Sequence, residues 1–159
     1  MANPRDIIIL PDKQLRLISK PVETITLLED GSYALTAADF GFSDPSDSPA
    51  NTLAAVRISS LPLAGTLFYN GVAITAAQVT SGYEVTAADL AANRLTYSPA
   101  ANANGTGYAS FTFRVRDDGG TLNSGVDTDA SANTITFSFT PVNDAPAGTD
   151  KTITLLEDG

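Results

Sequence analysis

Apolar and polar residues alternate with a period of two wherever this sequence shows a pattern. Phe111, Phe113 and Val115 alternate with Thr112, Arg114 and Arg116; Ile135, Phe137 and Phe139 alternate with Thr134, Thr136, Ser138 and Thr140. Ile25 and Leu27 are spaced by Thr24 and Thr26, and Leu95 and Tyr97 flank Thr96. Successive side chains of a strand face opposite ways, so this pattern belongs to strands with one buried face. Asn70-Gly71 separates Thr66–Tyr69 from Val72–Ile74, and Asn-Gly suits the positive φ angles of a tight hairpin turn. Strands are predicted near 23–28, 33–37, 53–59, 66–69, 72–75, 94–98, 109–116 and 132–140. Only Thr75–Val79 and Thr86–Ala92 read as single helical turns. Gly41, Pro45, Pro49, Pro62 and Pro99 punctuate the connections. The expected fold is all-β, an antiparallel β-sandwich of about seven or eight strands.

The segment TITLLEDG occurs twice, beginning 128 residues apart at Thr24 and Thr152. Such self-similarity marks a repeat, so one full repeat followed by the first strand of the next is expected. The chain then reads as a slice of an array. Residues 1–22 form a leader, 23–146 the repeat, and 147–159 a linker with the next first strand. The leader is compositionally distinct: Arg5, Lys13, Arg16 and Lys20 oppose only Asp6 and Asp12, whereas the remainder carries five basic and sixteen acidic side chains. Its Ile7–Leu10 run is expected to lie peripherally, able to pair with an exposed edge strand. A weaker echo, Tyr33–Phe40 (YALTAADF) and Tyr83–Leu90 (YEVTAADL), reads as two similar strand-then-turn units.

Composition narrows the function. The 159 residues include no His, Cys or Trp, which excludes His-based proton transfer, thiol nucleophiles and the usual zinc ligands. The adjacent Asp117 and Asp118 face opposite ways on a strand and cannot flank one glycosidic bond. The chain is therefore expected not to be an enzyme. A net charge of −9 disfavours nucleic acid and anionic membranes. No apolar run approaches the ~18 residues of a membrane span. Fourteen of the eighteen acids are Asp, the residue of turns and calcium loops rather than of helices.

Two resemblances add to this reading. Arg5–Glu23 (RDIIILPDKQLRLISKPVE) resembles the amino terminus of bacterial peptide deformylases over about a seventh of the chain. That family holds its metal with a Cys-containing strand and a His-bearing helix, and neither residue type occurs here. From Glu23 onward the chain resembles a cadherin-like, immunoglobulin-like tandem repeat of large bacterial surface adhesins. The motifs are Leu27–Asp47 (LLEDGSYALTAADFGFSDPSD), PLAGTLFYNGVAIT, YSPAANANGTGYASFTF, Phe111–Gly120 (FTFRVRDDGG) and Pro141–Pro146 (PVNDAP). The resemblance implies an extracellular or cell-surface spacer for adhesion or biofilm formation. Its partners would be adjacent copies of the repeat, with surface glycans or proteins as further candidates. It also implies calcium shared between neighbouring repeats, weakly bound by a single one. The acidic Asp-Arg-Glu-type motif of animal cadherins has no clear match here.

Strand direction places the carboxylates. If the first strand runs downward, Glu29 and Asp30 reach the lower pole, and the last strand delivers Asn143 and Asp144 there. Asp44, Asp47 and Asp117 fall at the upper pole. Glu29, Asp44, Asp47, Asp117, Asn143 and Asp144 are the candidate calcium ligands, because hard cations take six to eight oxygens from such loops. Against this, Asp30-Gly31, Asp44-Pro45 and Asp118-Gly119 are ordinary turn formers, Asp39 and Asp89 suit turn caps, and Asp127 and Asp129 suit a solvated hairpin tip. An alternative function is a carbohydrate-binding β-sandwich module, for which Tyr69, Tyr83 and Tyr108 would have to form a platform.

Overall fold

The computed structural model describes residues 7–9, 15–17, 23–154 and 157. They are mostly strands, in two antiparallel-rich sheets with few, short helices. In chain order the strands are β1 (Ile7–Ile9), β2 (Leu15–Leu17), β3 (Glu23–Leu28), β4 (Tyr33–Ala34), β5 (Leu53–Ile58), β6 (Thr66–Tyr69), β7 (Val72–Ala73), β8 (Glu84–Thr86), β9 (Leu95–Ser98), β10 (Gly105–Asp117) and β11 (Asn133–Thr140). One sheet runs β3-β11-β10-β5-β8, the other β4-β9-β6-β7, and β1 pairs with β2 in a small sheet of its own. The Ile7–Ile9 strand thus takes β2 as its partner, not an edge of the larger sheets. Among the described residues no helix is long and apolar enough to cross a membrane.

The larger sheet mixes directions. β3 lies parallel to β11, with Ile25 beside Phe137 and Leu27 beside Phe139. β10 is antiparallel to both β11 and β5. The two sheets share one buried core, because the alternation turns the apolar faces inward. Phe111, Ile135 and Phe137 from the larger sheet are fully buried, as are Leu67, Leu95 and Tyr97 from the smaller. Tyr97 stacks on Phe137 with centroids 3.9 Å apart and planes 7° off parallel. Each such side chain stabilises the fold by roughly 1.5–3 kcal/mol on burial. The Tyr97 hydroxyl keeps a partner inside, donating to the Ala64 carbonyl at 2.9 Å.

Three short helical turns share one sequence device. Thr36, Thr75 and Thr86 each precede Ala-Ala and then Asp39, Gln78 or Asp89. Thr75 N–H donates to Gln78 Oε1 at 2.8 Å while Gln78 N–H returns to Thr75 Oγ1 at 3.3 Å. Asp89 N–H donates to Thr86 Oγ1 at 3.1 Å, and Thr36 N–H donates to Asp39 Oδ2 at 2.6 Å. These caps, with capping boxes at Thr36 and Thr75, satisfy backbone N–H groups that a helix start leaves free. They begin the 3₁₀ turn Ala37–Phe40, α1 (Ala76–Thr80) and α2 (Ala87–Ala91). The echo between Tyr33–Phe40 and Tyr83–Leu90 is thus two strand-then-turn units, each delivering two buried residues, Leu35 and Phe40 from the first and Val85 and Leu90 from the second.

Several boundaries differ from expectation. β4 ends at Ala34 rather than 37, and β7 at Ala73 rather than 75, because Thr36 and Thr75 are capping residues. β8 falls outside the expected strand ranges, although the Tyr83–Leu90 echo reads as a strand-then-turn unit; only Val85 of its three residues is buried. β10 starts four residues earlier than expected, across Gly105 and Gly107, with a register shift against β11 before Ala109.

Candidate functional site

The strand directions gather acidic loops at the two ends of the larger sheet. β5 begins beside the end of β10, with Leu53 opposite Asp117, and this end is the upper pole. Asn51 organises it. Its backbone N–H donates to Asp44 Oδ2 at 2.8 Å, and its side-chain amide donates to Asp47 Oδ2 at 2.9 Å. Asp117 Oδ1 accepts the Gly119 N–H at 2.8 Å. A Cβ on Gly119 would stand 2.5 Å from Asn51 Nδ2 and 3.1 Å from Asp117 Oδ1, so a missing side chain lets Asn51 and Asp117 draw together. Asp118 turns to Thr52, accepting its N–H and its hydroxyl, each at 2.7 Å. Those bonds to the charged form hold the Asp118 carboxyl below the usual carboxylate range.

The lower pole follows from the parallel β3–β11 pair, whose last partners are Leu28 and Thr140. Glu29 N–H donates to the Thr140 carbonyl at 3.2 Å. The Glu29 side chain is buried and accepts the Val142 N–H. It therefore clamps the start of the Pro141–Pro146 linker. Asp30 sits in the left-handed region at φ 65° and accepts the Asn102 N–H at 3.0 Å. Asn143 and Asp144 are exposed, joined by an Asn143 Nδ2–Asp144 carbonyl bond of 3.3 Å.

The structure thus brings Asp44, Asp47 and Asp117 to one end, and Glu29 with Asn143 and Asp144 to the other. Among the described residues no three His, Cys, Asp or Glu side chains form a group able to hold a metal ion. Three upper-pole residues, Asn51, Thr52 and Gly119, had no signal in the sequence: each reads as an ordinary loop residue, and only the fold aligns them.

Asp127 and Asp129 do not form a solvated tip. Their loop folds back on β10, with Asp117 N–H donating to the Asp127 carbonyl at 2.8 Å and Asp129 N–H to the Val115 carbonyl at 2.9 Å. Asp129 Oδ2 also accepts the Asn133 amide at 2.8 Å. The three tyrosines do not make a platform. Tyr69 and Tyr83 meet edge to face, 6.0 Å apart, beside a cavity of about 250 Å³ that Asn70 and Gln78 also line. Tyr108 packs elsewhere, on Phe139. Asp89, in the first turn of α2, accepts the Thr86 hydroxyl at 2.7 Å and pairs with Arg94 at 2.7 Å. Its bond from Thr86, then that from Arg94, lower its pKa.

Comparison with known proteins yields one kind of match. Fifty-five residues of this chain are 47% identical to a peptide deformylase of Bradyrhizobium diazoefficiens. The same length is 46% identical to peptide deformylases of Rhodopseudomonas palustris and Nitrobacter hamburgensis. The match covers 35% of this chain and 29% of each of those proteins, so the chain spans about three tenths of the relatives it matches. No family model matches, and no solved structure matches. The chain therefore contains a short peptide deformylase-like segment, longer than the Arg5–Glu23 motif. This corrects the expectation that the chain is no enzyme: over that stretch its kin are enzymes.

Proposed function

We propose that residues 23–146 are a structural repeat of a bacterial cell-surface or secreted adhesin. The repeat is an immunoglobulin/cadherin-like β-sandwich that acts as an extracellular spacer in cell adhesion or biofilm formation. The observation that carries this reading is the parallel β3–β11 pair. It sends Glu29 and the Asn143-Asp144 linker to one end, while Asp44, Asp47 and Asp117 lie at the other. Stacked end to end, the lower pole of one repeat meets the upper pole of the next, and the combined carboxylates favour a shared calcium ion that offsets their repulsion. The recurrence of TITLLEDG after 128 residues supports the array. Small-angle scattering on a protein of two such repeats tests the spacer role. Calcium should lengthen and stiffen it, and an unchanged scattering curve would sink the reading.

The deformylase match favours a second reading, that the chain takes part in peptide deformylation. The Cys and His metal ligands that this resemblance implies are not in the chain, so no step is derived through a metal. Release of formate from a formyl-peptide by the purified chain with divalent metal added would support this reading, and no release above the blank would remove it.

A further inference from the structure

The two TITLLEDG segments bear on one place in the fold. β3 is an edge strand, held by six parallel partners on β11, from Glu23 beside Ile135 to Leu28 beside Thr140. Its contacts come from few residues. Ile25 is buried, Leu27 is half-buried, Glu29 accepts the Val142 N–H, and Asp30 accepts the Asn102 N–H. At the same offset of 128 the second segment supplies Ile153, Leu155, Glu157 and Asp158. Every one of these contacts is thus encoded twice. Of the second copy, Thr152, Ile153 and Thr154 lie in no strand, and Ile153 is 73% exposed where Ile25 is 7% exposed.

We propose that the edge of β11 is an interaction surface with two interchangeable occupants, and that Thr152–Gly159 of the same chain exchanges with β3 for it. The span is permissive. Pro141–Lys151 is eleven residues, a reach of roughly 35 Å when extended. Returning to the far end of β11 requires roughly 20 Å, the length of a six-residue strand. From Thr24 to Leu28 the two segments carry the same side chains, with Lys151 standing at the exposed position of Glu23, so connection entropy sets the balance. β3 closes the four-residue loop 29–32 and the second segment an eleven-residue one, a preference of roughly fivefold for β3. Thr152–Gly159 therefore occupies the surface in a minor but substantial fraction of molecules.

Two experiments on the full chain test this. Thr24 and Thr136 are neighbours in the ladder, and Thr152 is the counterpart of Thr24. The chain has no native Cys. Under mild oxidation T136C/T152C should form an intrachain disulfide, as the control T24C/T136C does. A failure to form it while the control closes overturns the proposal. A disulfide-linked dimer would put the segment in a neighbouring molecule and overturn the intrachain route. The second experiment is a mutant cycle read by urea unfolding. Ile25→Asp alone should lower the folding equilibrium constant by no more than about tenfold, Ile153→Asp alone by less than about twofold, and both together by about 100-fold beyond Ile25→Asp. If Ile25→Asp alone falls as far as the double variant, nothing replaces β3 and the proposal fails.

Discussion

Gly65 shows how one residue position can serve two demands. Its φ of 71° is a conformation L side chains rarely adopt, and a Cβ there would lie 2.3 Å from the buried Tyr97 hydroxyl. Gly65→Ala should therefore cost about 3 kcal/mol, from backbone strain and from displacing a stacked core ring; urea unfolding would measure it. The same tyrosine makes an alkaline prediction. Burial pushes Tyr97 up to about 12, so it favours folding fully below the ordinary tyrosine pKa of about 10 and loses that contribution as pH rises toward 12. Unfolding between pH 10 and 12 should be steeper in the native protein than in Tyr97→Phe. Asp118 has the opposite sign. Its folded pKa is lowered by Thr52, so its contribution is present above the ordinary carboxylate pKa of about 4 and fades as pH falls below it. Thr52→Ala should raise the Asp118 pKa, seen by NMR titration of its carboxyl; an unmoved titration would show that the hydroxyl bond does not persist in solution. Nothing in the sequence pairs Thr52 with Asp118, which stand 66 positions apart; β5–β10 register alone does so.

Capping separates two elements that look alike in sequence. Thr75-Ala-Ala-Gln and Thr86-Ala-Ala-Asp both start five-residue helices, yet α1 buries no residue and α2 buries Leu90. Losing a cap costs about 1 kcal/mol where packing depends on it. Thr86→Ala should therefore cost about 1 kcal/mol and Thr75→Ala about half that, near the low end for exposed caps; chemical denaturation of both variants would check the order. The long strands were legible because their alternation repeats: Phe111 and Phe113, then Ile135, Phe137 and Phe139, all sit in the core as the period requires. Element ends were less legible, since they depend on tertiary partners. Asn104-Gly105-Thr106-Gly107 reads as a turn, yet Gly105 at φ 117° and Gly107 at φ 63° carry β10 through an irregularity toward β11. β8 shows in the sequence only through the echo of Tyr33–Phe40 in Tyr83–Leu90, because a three-residue strand with one buried side chain has too little alternation of its own.

At the scale of the whole molecule, strand direction decides which charges meet. The sequence allowed Glu29 and Asp144, or Asp44 and Asp117, to be assigned to shared ends once the strands were laid down alternately, and Asn51 and the Val142 N–H supply contacts that no pattern announces. The upper and lower poles lie at opposite ends of the same sheet, so neither can complete the other. Each presents carboxylates already engaged by local N–H groups, and no three of them converge. A single repeat should therefore bind calcium weakly, on the order of 10⁻⁴–10⁻³ M or weaker, as extracellular modules do. Two repeats joined through Pro141–Pro146 bring a lower pole against an upper one. That protein should bind more tightly and melt at higher temperature with calcium, because an ion that prefers the docked, folded state stabilises it. Isothermal titration of one-repeat and two-repeat proteins separates the possibilities. Equal affinities would mean that the oxygens come from within one repeat, and no heat from either would mean that Asp44, Asp47 and Asp117 serve only to shape the loops around Asn51.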